Sequence, residues 1–211
     1  MLKDLKVMDF LEELSSKAPT PGGGSAAALA AATAASLTCM VFNLTIGKKM
    51  YDDYSDEIKN EIQVNLEKSI ILKDLFVELM EKDADAFSGV IKALKMPKET
   101  DEEKVKRNDA ISKGYVSALE VPLELVTKAY GLYSCIEVSA AYGNKNAISD
   151  AGVAVLMLQS AIESAILNVK INLANIKDEV FKNKVLEHCN SITEYGISRK
   201  EEIMKVVNLK I

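Results

Sequence analysis

The sequence predicts an all-α fold: a single-domain bundle of five to seven helices with two long helices, spanning residues 1–211. Leu, Ala, Lys and Glu dominate, Trp is absent, and ten Gly with four Pro are too few to punctuate an all-β chain. No interval shows the β-branched alternation of a strand, and no repeat of roughly 20–50 residues is present. The predicted helices cover residues 2–15, 25–46, 54–94, 101–142, 149–176 and 178–206.

The first two helices are separated by a segment that cannot be helical. Leucines recur at helical spacing from Leu2 to Leu14, and two prolines and three glycines within 19–24 then break the pattern. Ser25 is a suitable N-cap for the second helix, which Gly47 ends. A short charged connection, 48–53, follows.

The later helices carry clear boundary signals. One drifting apolar stripe runs along 54–94 and stops before Pro97, and Thr100 with Glu103 forms a capping-box pattern at the start of the fourth helix. Pro122 predicts a kink or a break in that helix. The turn at 143–146 precedes the fifth helix.

Composition and charge exclude several classes of function. A net charge of −5 gives neither the basic face that nucleic acid requires nor a polybasic patch for an anionic membrane. Three widely separated cysteines without a C-x-x-C pattern favour a reducing, cytoplasmic location. With one histidine, His188, which we interpret as a surface or capping side chain, no transition-metal site is expected. No P-loop or dinucleotide-binding fingerprint occurs, so no cofactor is expected.

The uncharged stretch between Lys17 and Lys48 raises the question of a membrane span. Residues 25–46 are long enough to cross a bilayer. They consist mainly of Ala, Ser and Thr, however, and lack flanking aromatic residues. We therefore expect a buried central helix and no membrane association.

The segment from Pro19 to Ser25 is the most distinctive feature. Three glycines before an Ala-rich helix allow close approach of the backbone to another group, and the helix start offers unpaired N–H groups to an anion. A tight interhelical turn explains the same residues equally well.

Polar residues inside apolar helices form a second candidate feature. Asn168, Asn172 and Asn175 share one face of the fifth helix, and Asn43 interrupts the end of the second. A buried amide costs about 1–3 kcal/mol if unpaired, so the row predicts either an internal hydrogen-bond network or the wall of a polar cavity. By default, Asp83 is a solvated carboxylate on a helix surface. Asp150 is by default an acidic residue in the first turn of the fifth helix, where it complements the helix dipole. Without histidine pairs, proton transfer is left to carboxylate, lysine, tyrosine or water.

Six ordered blocks of the chain resemble the methenyltetrahydrofolate cyclohydrolase and formiminotetrahydrofolate cyclodeaminase family. The blocks are P-T-P-G-G-G-S-A-A-A-L at 19–29, M-V-F-N-L-T-I-G-K-K-M-Y at 40–51, D-A-D-A-F at 83–87, V-P-L-E at 121–124, G-N-K-N-A-I-S-D-A-G-V-A at 143–154 and N-V-K-I-N-L at 168–173. The resemblance implies an all-helical homodimer acting on a folate substrate, without metal or nucleotide.

The resemblance also turns the ambiguous polar features into candidate walls of one pocket. In our hypothesis Asp83 orients or deprotonates the nucleophile, Lys48 supplies or stabilises charge at the reacting carbon, and Tyr51 assists proton movement. The candidate substrate-binding residues are Pro21, Gly22, Gly23, Gly24, Ser25, Asn43, Asn144, Asn146, Ser149, Asp150, Asn168 and Asn172.

Three functions remain open at this point. Because no transferase is attached to the chain, we rank hydrolysis of methenyltetrahydrofolate before cyclodeamination of formiminotetrahydrofolate. A non-catalytic folate-binding helical module is the third alternative. Dimerisation is also expected from the apolar run that contains Ile70, Ile71, Leu72, Leu75 and Phe76, which exceeds one buried face.

Overall fold

A computed structural model describes all residues, 1–211, and contains helices but no β-strand. The α-helices are α1 Val7–Leu14, α2 Gly23–Asn43, α3 Lys49–Asp52, α4 Asp56–Leu94, α5 Asp101–Tyr130, α6 Tyr133–Tyr142, α7 Ile148–Leu173 and α8 Glu179–Lys210. Single 3₁₀ turns lie at Leu2–Asp4 and Lys145–Ala147. Seven helices are longer than one turn, so the all-α prediction is confirmed.

The alanine-rich helix α2 lies between α4 and α7, and α5 packs against both of those helices. Its buried side chains are small, among them Ala27, Ala31 and Ala35, which lets the neighbouring helices approach closely. Both neighbours run antiparallel to α2, because Ser25 meets Asp83 late in α4 and Thr45 meets Asn144 just before α7. Helices α6 and α8 complete the bundle behind α7.

Helix α5 continues through Pro122, and the chain breaks only at Gly131 and Leu132, between α5 and α6. The prediction of a break at Pro122 is therefore wrong, because the helix is interrupted later, at Gly131 and Leu132. Proline removes the N–H that would reach the carbonyl four residues earlier, that of Ala118. In the structure the Asn172 side chain of α7 donates to this carbonyl at 2.8 Å, which satisfies the group that the proline leaves free.

The N-terminal segment is not the continuous helix that its leucine spacing predicts. A 3₁₀ turn is followed by extended backbone at Leu5 and Lys6, and α1 begins only at Val7. The Lys3 N–H donates to the Glu81 carboxylate of α4 at 2.6 Å, and Leu2 and Leu5 pack on the core. These contacts hold the first residues along α4, so α1 begins later.

A polar cluster lies inside the bundle, where α6, α7 and α8 meet. The Tyr133 hydroxyl donates to Gln159, and burial raises the pKa of that tyrosine. Gln159 in turn donates to Glu163 at 2.7 Å. Gly196 leaves room for this cluster, since a Cβ there would lie 2.9 Å from the Tyr133 hydroxyl. The cluster is internal hydrogen bonding, and it lies apart from the cleft described below.

Helix α2 and the segment 145–173 are each long and apolar enough to cross a membrane by length and composition. Within the fold, 61% of the apolar window in α2 and 56% of that in the second segment are buried against other helices. The apolar run in α4 divides between the two environments: Leu72 and Phe76 are in the core, whereas Ile70 and Ile71 face solvent.

Candidate active site

A cleft of about 190 Å³ opens where the start of α2 meets α4, α5 and α7. It is lined by Pro19, Thr20, Gly22, Gly23, Gly24, Asp83, Phe87, Ala118, Asn168, Ile171 and Asn172. The structure therefore brings the glycine segment, the carboxylate of α4 and two of the asparagines of α7 together. Asp83 is the only ionisable side chain among these residues.

Asp83 lies against the first turn of α2, which has no capping side chain of its own because its N-cap is Gly22. The Ser25 hydroxyl lies 2.9 Å from Asp83 Oδ2 and 3.2 Å from the Met80 carbonyl, so its proton is shared between two acceptors. A Cβ on Gly24 would overlap the Asp83 carboxylate. The residue at 24 must therefore be glycine for the carboxylate to occupy this place.

Burial raises the pKa of Asp83 above its usual range, and hydrogen bonds from the Ser25 side chain and backbone oppose that rise. A carboxyl group with a raised pKa favours its protonated form in the folded protein. Its contribution to stability is therefore full below the pKa of the unfolded chain and is lost as pH rises through the folded pKa. At pH values above its folded pKa, the ionised Asp83 costs folding free energy, and such perturbed groups are concentrated at functional sites.

The two asparagines of α7 line the side of the cleft opposite Asp83's helix. Asn172 is buried and donates to the Ala118 carbonyl, while Asn168 donates to the Ser164 carbonyl at 2.9 Å. One N–H of each side-chain amide is thus engaged, and both amide oxygens are left as acceptors. Asn175 lies in the turn beyond the end of α7; its side chain is exposed and donates to the Ile171 carbonyl at 3.3 Å.

Two apolar side chains at the rim, Phe87 and Ile171, were not predicted as site residues. Phe87 is 36% exposed and Ile171 is 68% exposed. Ala118 was also missed as a lining residue, whereas Pro19 and Thr20 belong to the distinctive segment from Pro19 to Ser25. Phe87 follows Asp83 by one helical turn, and this spacing was a signal that it lies beside Asp83. Ile171 gives no such signal, because in the sequence it is one more apolar residue of a core helix.

The remaining predicted site residues lie at the other end of α2. Its 21 residues span about 30 Å, and Lys48 and Tyr51 follow its C-terminus. Asn144 is held there by bonds to Thr45 and Leu44. Asn43, Asn146, Ser149 and Asp150 are at this end as well. The expectation of one pocket within one chain is therefore wrong, because antiparallel packing carries the two groups of motifs to opposite ends of the bundle. Pro21 and Ser25 lie beside the cleft without lining it.

Comparison with known proteins places this geometry in a family. A sequence profile of the formiminotransferase-cyclodeaminase family matches residues 6–191. The chain is 39% identical over 202 residues to the methenyltetrahydrofolate cyclohydrolase of Methylorubrum extorquens, covering 96% of this chain and 95% of that protein. It is 35% identical to the formimidoyltransferase-cyclodeaminase of Gallus gallus over 88% of this chain, but over only 34% of that longer protein.

A solved structure shares the fold. The crystal structure of formiminotetrahydrofolate cyclodeaminase from Thermotoga maritima aligns with a TM-score of 0.79 and 27% sequence identity, over 100% of this chain and 97% of that one. The helical fold thus agrees with the sequence matches. The chain belongs to the formiminotransferase-cyclodeaminase family of folate enzymes, as its motifs predict.

Proposed function

We propose that this protein hydrolyses 5,10-methenyltetrahydrofolate to 10-formyltetrahydrofolate. The observation that carries the proposal is the half-buried Asp83 carboxylate, which lies in a cleft beside the amides of Asn168 and Asn172. Support for this substrate comes from the Methylorubrum extorquens cyclohydrolase, which aligns over nearly the whole of both chains.

The reaction needs a base near the carbon that bridges N5 and N10. Water adds to this amidinium carbon, its oxygen forms the new C–O bond, and Asp83 takes a proton from it. The resulting carbinolamine is neutral. The C–N5 bond then breaks: its electron pair goes to N5, which takes up a proton, and the carbinolamine hydroxyl loses its proton as the C=O bond of the formyl group on N10 forms. One water is consumed and one proton is released. Asp83 suits the first step because its raised pKa makes it a stronger base than an exposed carboxylate.

The walls of the cleft suit the flat pterin ring of the substrate. Phe87 and Ile171 offer apolar surface at the rim, and the free amide oxygens of Asn168 and Asn172 accept hydrogen bonds from ring N–H groups. The unpaired N–H groups of Gly23 and Gly24 at the start of α2 are donors for the carbinolamine oxygen.

Cyclodeamination is the second candidate, and the Thermotoga maritima structure supports it. In that reaction N10 attacks the formimino carbon on N5, and ammonia leaves with a proton. The reacting carbon and its two nitrogens are the same, so the same carboxylate serves. Hydrolysis ranks first because the full-length match to a cyclohydrolase has 39% identity, whereas the full-length match to the Thermotoga maritima cyclodeaminase has 27%.

One spectrophotometric assay separates the candidates. Loss of methenyltetrahydrofolate absorbance on addition of enzyme indicates hydrolysis, and its appearance from formiminotetrahydrofolate, together with ammonia, indicates cyclodeamination. Binding of folate with neither signal indicates a non-catalytic module and refutes the proposal. Asp83→Asn keeps the shape of the side chain and removes the base, so we expect turnover to fall by roughly 10²- to 10⁴-fold. Full turnover of this variant would refute the role of Asp83.

We also propose that the enzyme is a cytoplasmic homodimer that requires no metal or nucleotide and binds no nucleic acid or membrane. In support, its three cysteines are free and buried, and no three His, Cys, Asp or Glu side chains are grouped as metal ligands. The exposed apolar residues of α2, Leu29, Met40 and Leu44, are suited to an interface. Sedimentation should give twice the 23.0 kDa mass of the chain, and activity should withstand EDTA.

A further inference from the structure

We propose that Arg107 binds the glutamate carboxylates at the tail of the folate substrate, and that the hairpin of α4 and α5 carries the benzoyl ring between Arg107 and the cleft. The inference rests on the proposed function, because it assigns a place to the other end of the same substrate.

Helices α4 and α5 continue beyond the cleft as an antiparallel hairpin. The cleft is lined by Asp83 of α4 and Ala118 of α5, whereas α4 ends at Leu94 and α5 begins at Asp101. Asp83 and Leu94 are eleven residues apart, so the hairpin projects about 16 Å beyond the carboxylate.

One face of each helix leads from the cleft to the tip of the hairpin. Eleven residues make about three turns of an α-helix, so Leu94 lies on the face of Asp83, and Arg107 lies on the face of Ala118. A hydrogen bond joins the two faces near the tip, where Arg107 Nη2 donates to the Leu94 carbonyl at 3.2 Å. The guanidinium of Arg107 is therefore at the far end of a surface that begins at the cleft.

Arg107 has no carboxylate partner in the chain. Its side chain is half-buried, its one hydrogen bond is that to Leu94, and its Nε is buried without an acceptor. The other arginine, Arg199, donates to both carboxylate oxygens of Glu137. Buried polar groups normally have partners, because an unsatisfied donor costs free energy. The unpaired guanidinium therefore indicates an acceptor from outside the chain, and its planar fork of donors suits a carboxylate.

The neighbouring lysines of α5 do not offer an equivalent site. Lys104 and Lys113 each form an ion pair with an aspartate one turn away. Lys106 is exposed and lies about 100° around the helix from Arg107. Arg107 is therefore the unpaired cation on the face of α5 that leads to the cleft.

The surface between the cleft and Arg107 is suited to a benzoyl ring. On α4, Phe87 and Leu94 are 36% and 40% exposed. On α5, Ile111 is half-buried and lies one turn from Arg107 in the direction of the cleft. Apolar side chains of this kind bind a flat ring by contact. Phe87 lies where the pterin and the benzoyl ring meet, since it lines the cleft and belongs to this surface as well.

The length of the substrate agrees with the distance along the hairpin. About nine bonds separate the reacting carbon from the α-carboxylate of the glutamate, and about eleven separate it from the γ-carboxylate. At ~1.2 Å of advance per bond, the carboxylates lie roughly 11–13 Å from that carbon. The attacking water adds about 3 Å between the carbon and Asp83. The tail carboxylates therefore reach the level of Leu94 and Arg107.

Binding at both ends places the reacting carbon. The amides of Asn168 and Asn172 hold the pterin, and Arg107 holds the glutamate. The carbon that bridges N5 and N10 lies between these two contacts, at the level of Asp83. Arg107 is thus a substrate-binding residue that acts by positioning and takes no part in proton transfer.

Two substrates and one pair of variants test the tail site. Methenyltetrahydropteroate is methenyltetrahydrofolate without its glutamate. Wild type should hydrolyse the folate with a kcat/KM about 10- to 100-fold higher, because a charge-assisted pair with arginine is lost with the glutamate. Arg107→Met should abolish this preference, with the loss in KM rather than in kcat. Arg107→Lys, which keeps the charge without the fork, should recover part of it. Lys106→Met is the matched control and should keep the full preference.

Three results would overturn the inference: no preference in wild type, a full preference in Arg107→Met, or an equal loss in Lys106→Met. A second measurement does not depend on turnover. By calorimetry, wild type should bind tetrahydrofolate at least 10-fold more tightly than tetrahydropteroate, and Arg107→Lys should reduce this difference. Equal affinities in wild type refute the tail site, even if Arg107→Met does not fold.

The two proposals fail in different ways. If wild type lacks both folate activities but its affinity for tetrahydrofolate depends on Arg107 and on the glutamate, the proposed function fails and the tail site stands. If wild type hydrolyses both methenyl substrates equally well, the proposed function stands and the tail site fails.

Discussion

The hydrogen bond from Asn172 to the Ala118 carbonyl connects the stability of α5 to the wall of the cleft, and it leads to a quantitative prediction. Pro122 deprives this carbonyl of its helical partner, and Asn172 replaces that partner at 2.8 Å. Asn172→Ala leaves a buried carbonyl without a donor, which costs about 1–3 kcal/mol; we expect about 2 kcal/mol. At about 2–4 °C per kcal/mol for a chain of this size, Tm should fall by about 4–8 °C.

The proline makes the reasoning testable by a double-mutant cycle. In Pro122→Ala the new N–H at 122 is free to bond with Ala118, so Asn172→Ala should cost about 1 kcal/mol less in that background. Urea unfolding of the four proteins, at one fixed protein concentration, measures this coupling. Asn175→Ala is the matched control, since that exposed amide donates only to the nearby Ile171 carbonyl and its loss should change stability by at most about 0.5 kcal/mol. Equal costs of Asn172→Ala in both backgrounds would refute the assignment of Asn172 as the partner of the freed carbonyl.

Three further predictions concern the carboxylate and the close contacts around it. Gly24→Ala should displace Asp83 and lower kcat/KM at least 10-fold. Gly22→Ala should leave folding intact, because its Cβ would meet nothing within 4 Å. Equal folding and activity in both variants would contradict the packing described. The acid limb of the pH profile of kcat/KM should reflect ionisation of Asp83, whose pKa lies above its usual range. Ser25→Ala removes a hydrogen bond that lowers this pKa, so it should move the limb to higher pH. A shift to lower pH would contradict the cause assigned to the pKa. Gly196→Ala should destabilise the fold by about 1–3 kcal/mol because its Cβ crowds Tyr133 and Gln159, while kcat of the folded enzyme is unchanged. Gly89→Ala is the control and should not destabilise the fold, because its Cβ would meet nothing within 4 Å. Thermal unfolding combined with activity assays checks both variants.

The helices were predictable because their signals are local. The capping box of Thr100 and Glu103 is formed as the sequence predicts, and α4 ends at Leu94 as expected. The errors occur where a distant group overrides a local signal. Asp83 lies against the first turn of α2, so the helix begins at Gly23 rather than after Ser25. Asn172 supports α5 across Pro122, and the contact between Lys3 and Glu81 holds the 3₁₀ turn Leu2–Asp4 against α4.

The candidate site was predictable in its parts and not in its assembly. A motif such as P-G-G-G-S or D-A-D-A-F gives positions along the sequence. The distance between two motifs in the folded chain depends on the direction in which each helix runs. Because α4 and α7 are both antiparallel to α2, Asp83, Asn168 and Asn172 meet at one end of the bundle. Asn144 is fixed to Thr45 at the other, together with Lys48. A single chain has no way to close this gap, since α2 is a straight run of 21 residues between the two groups.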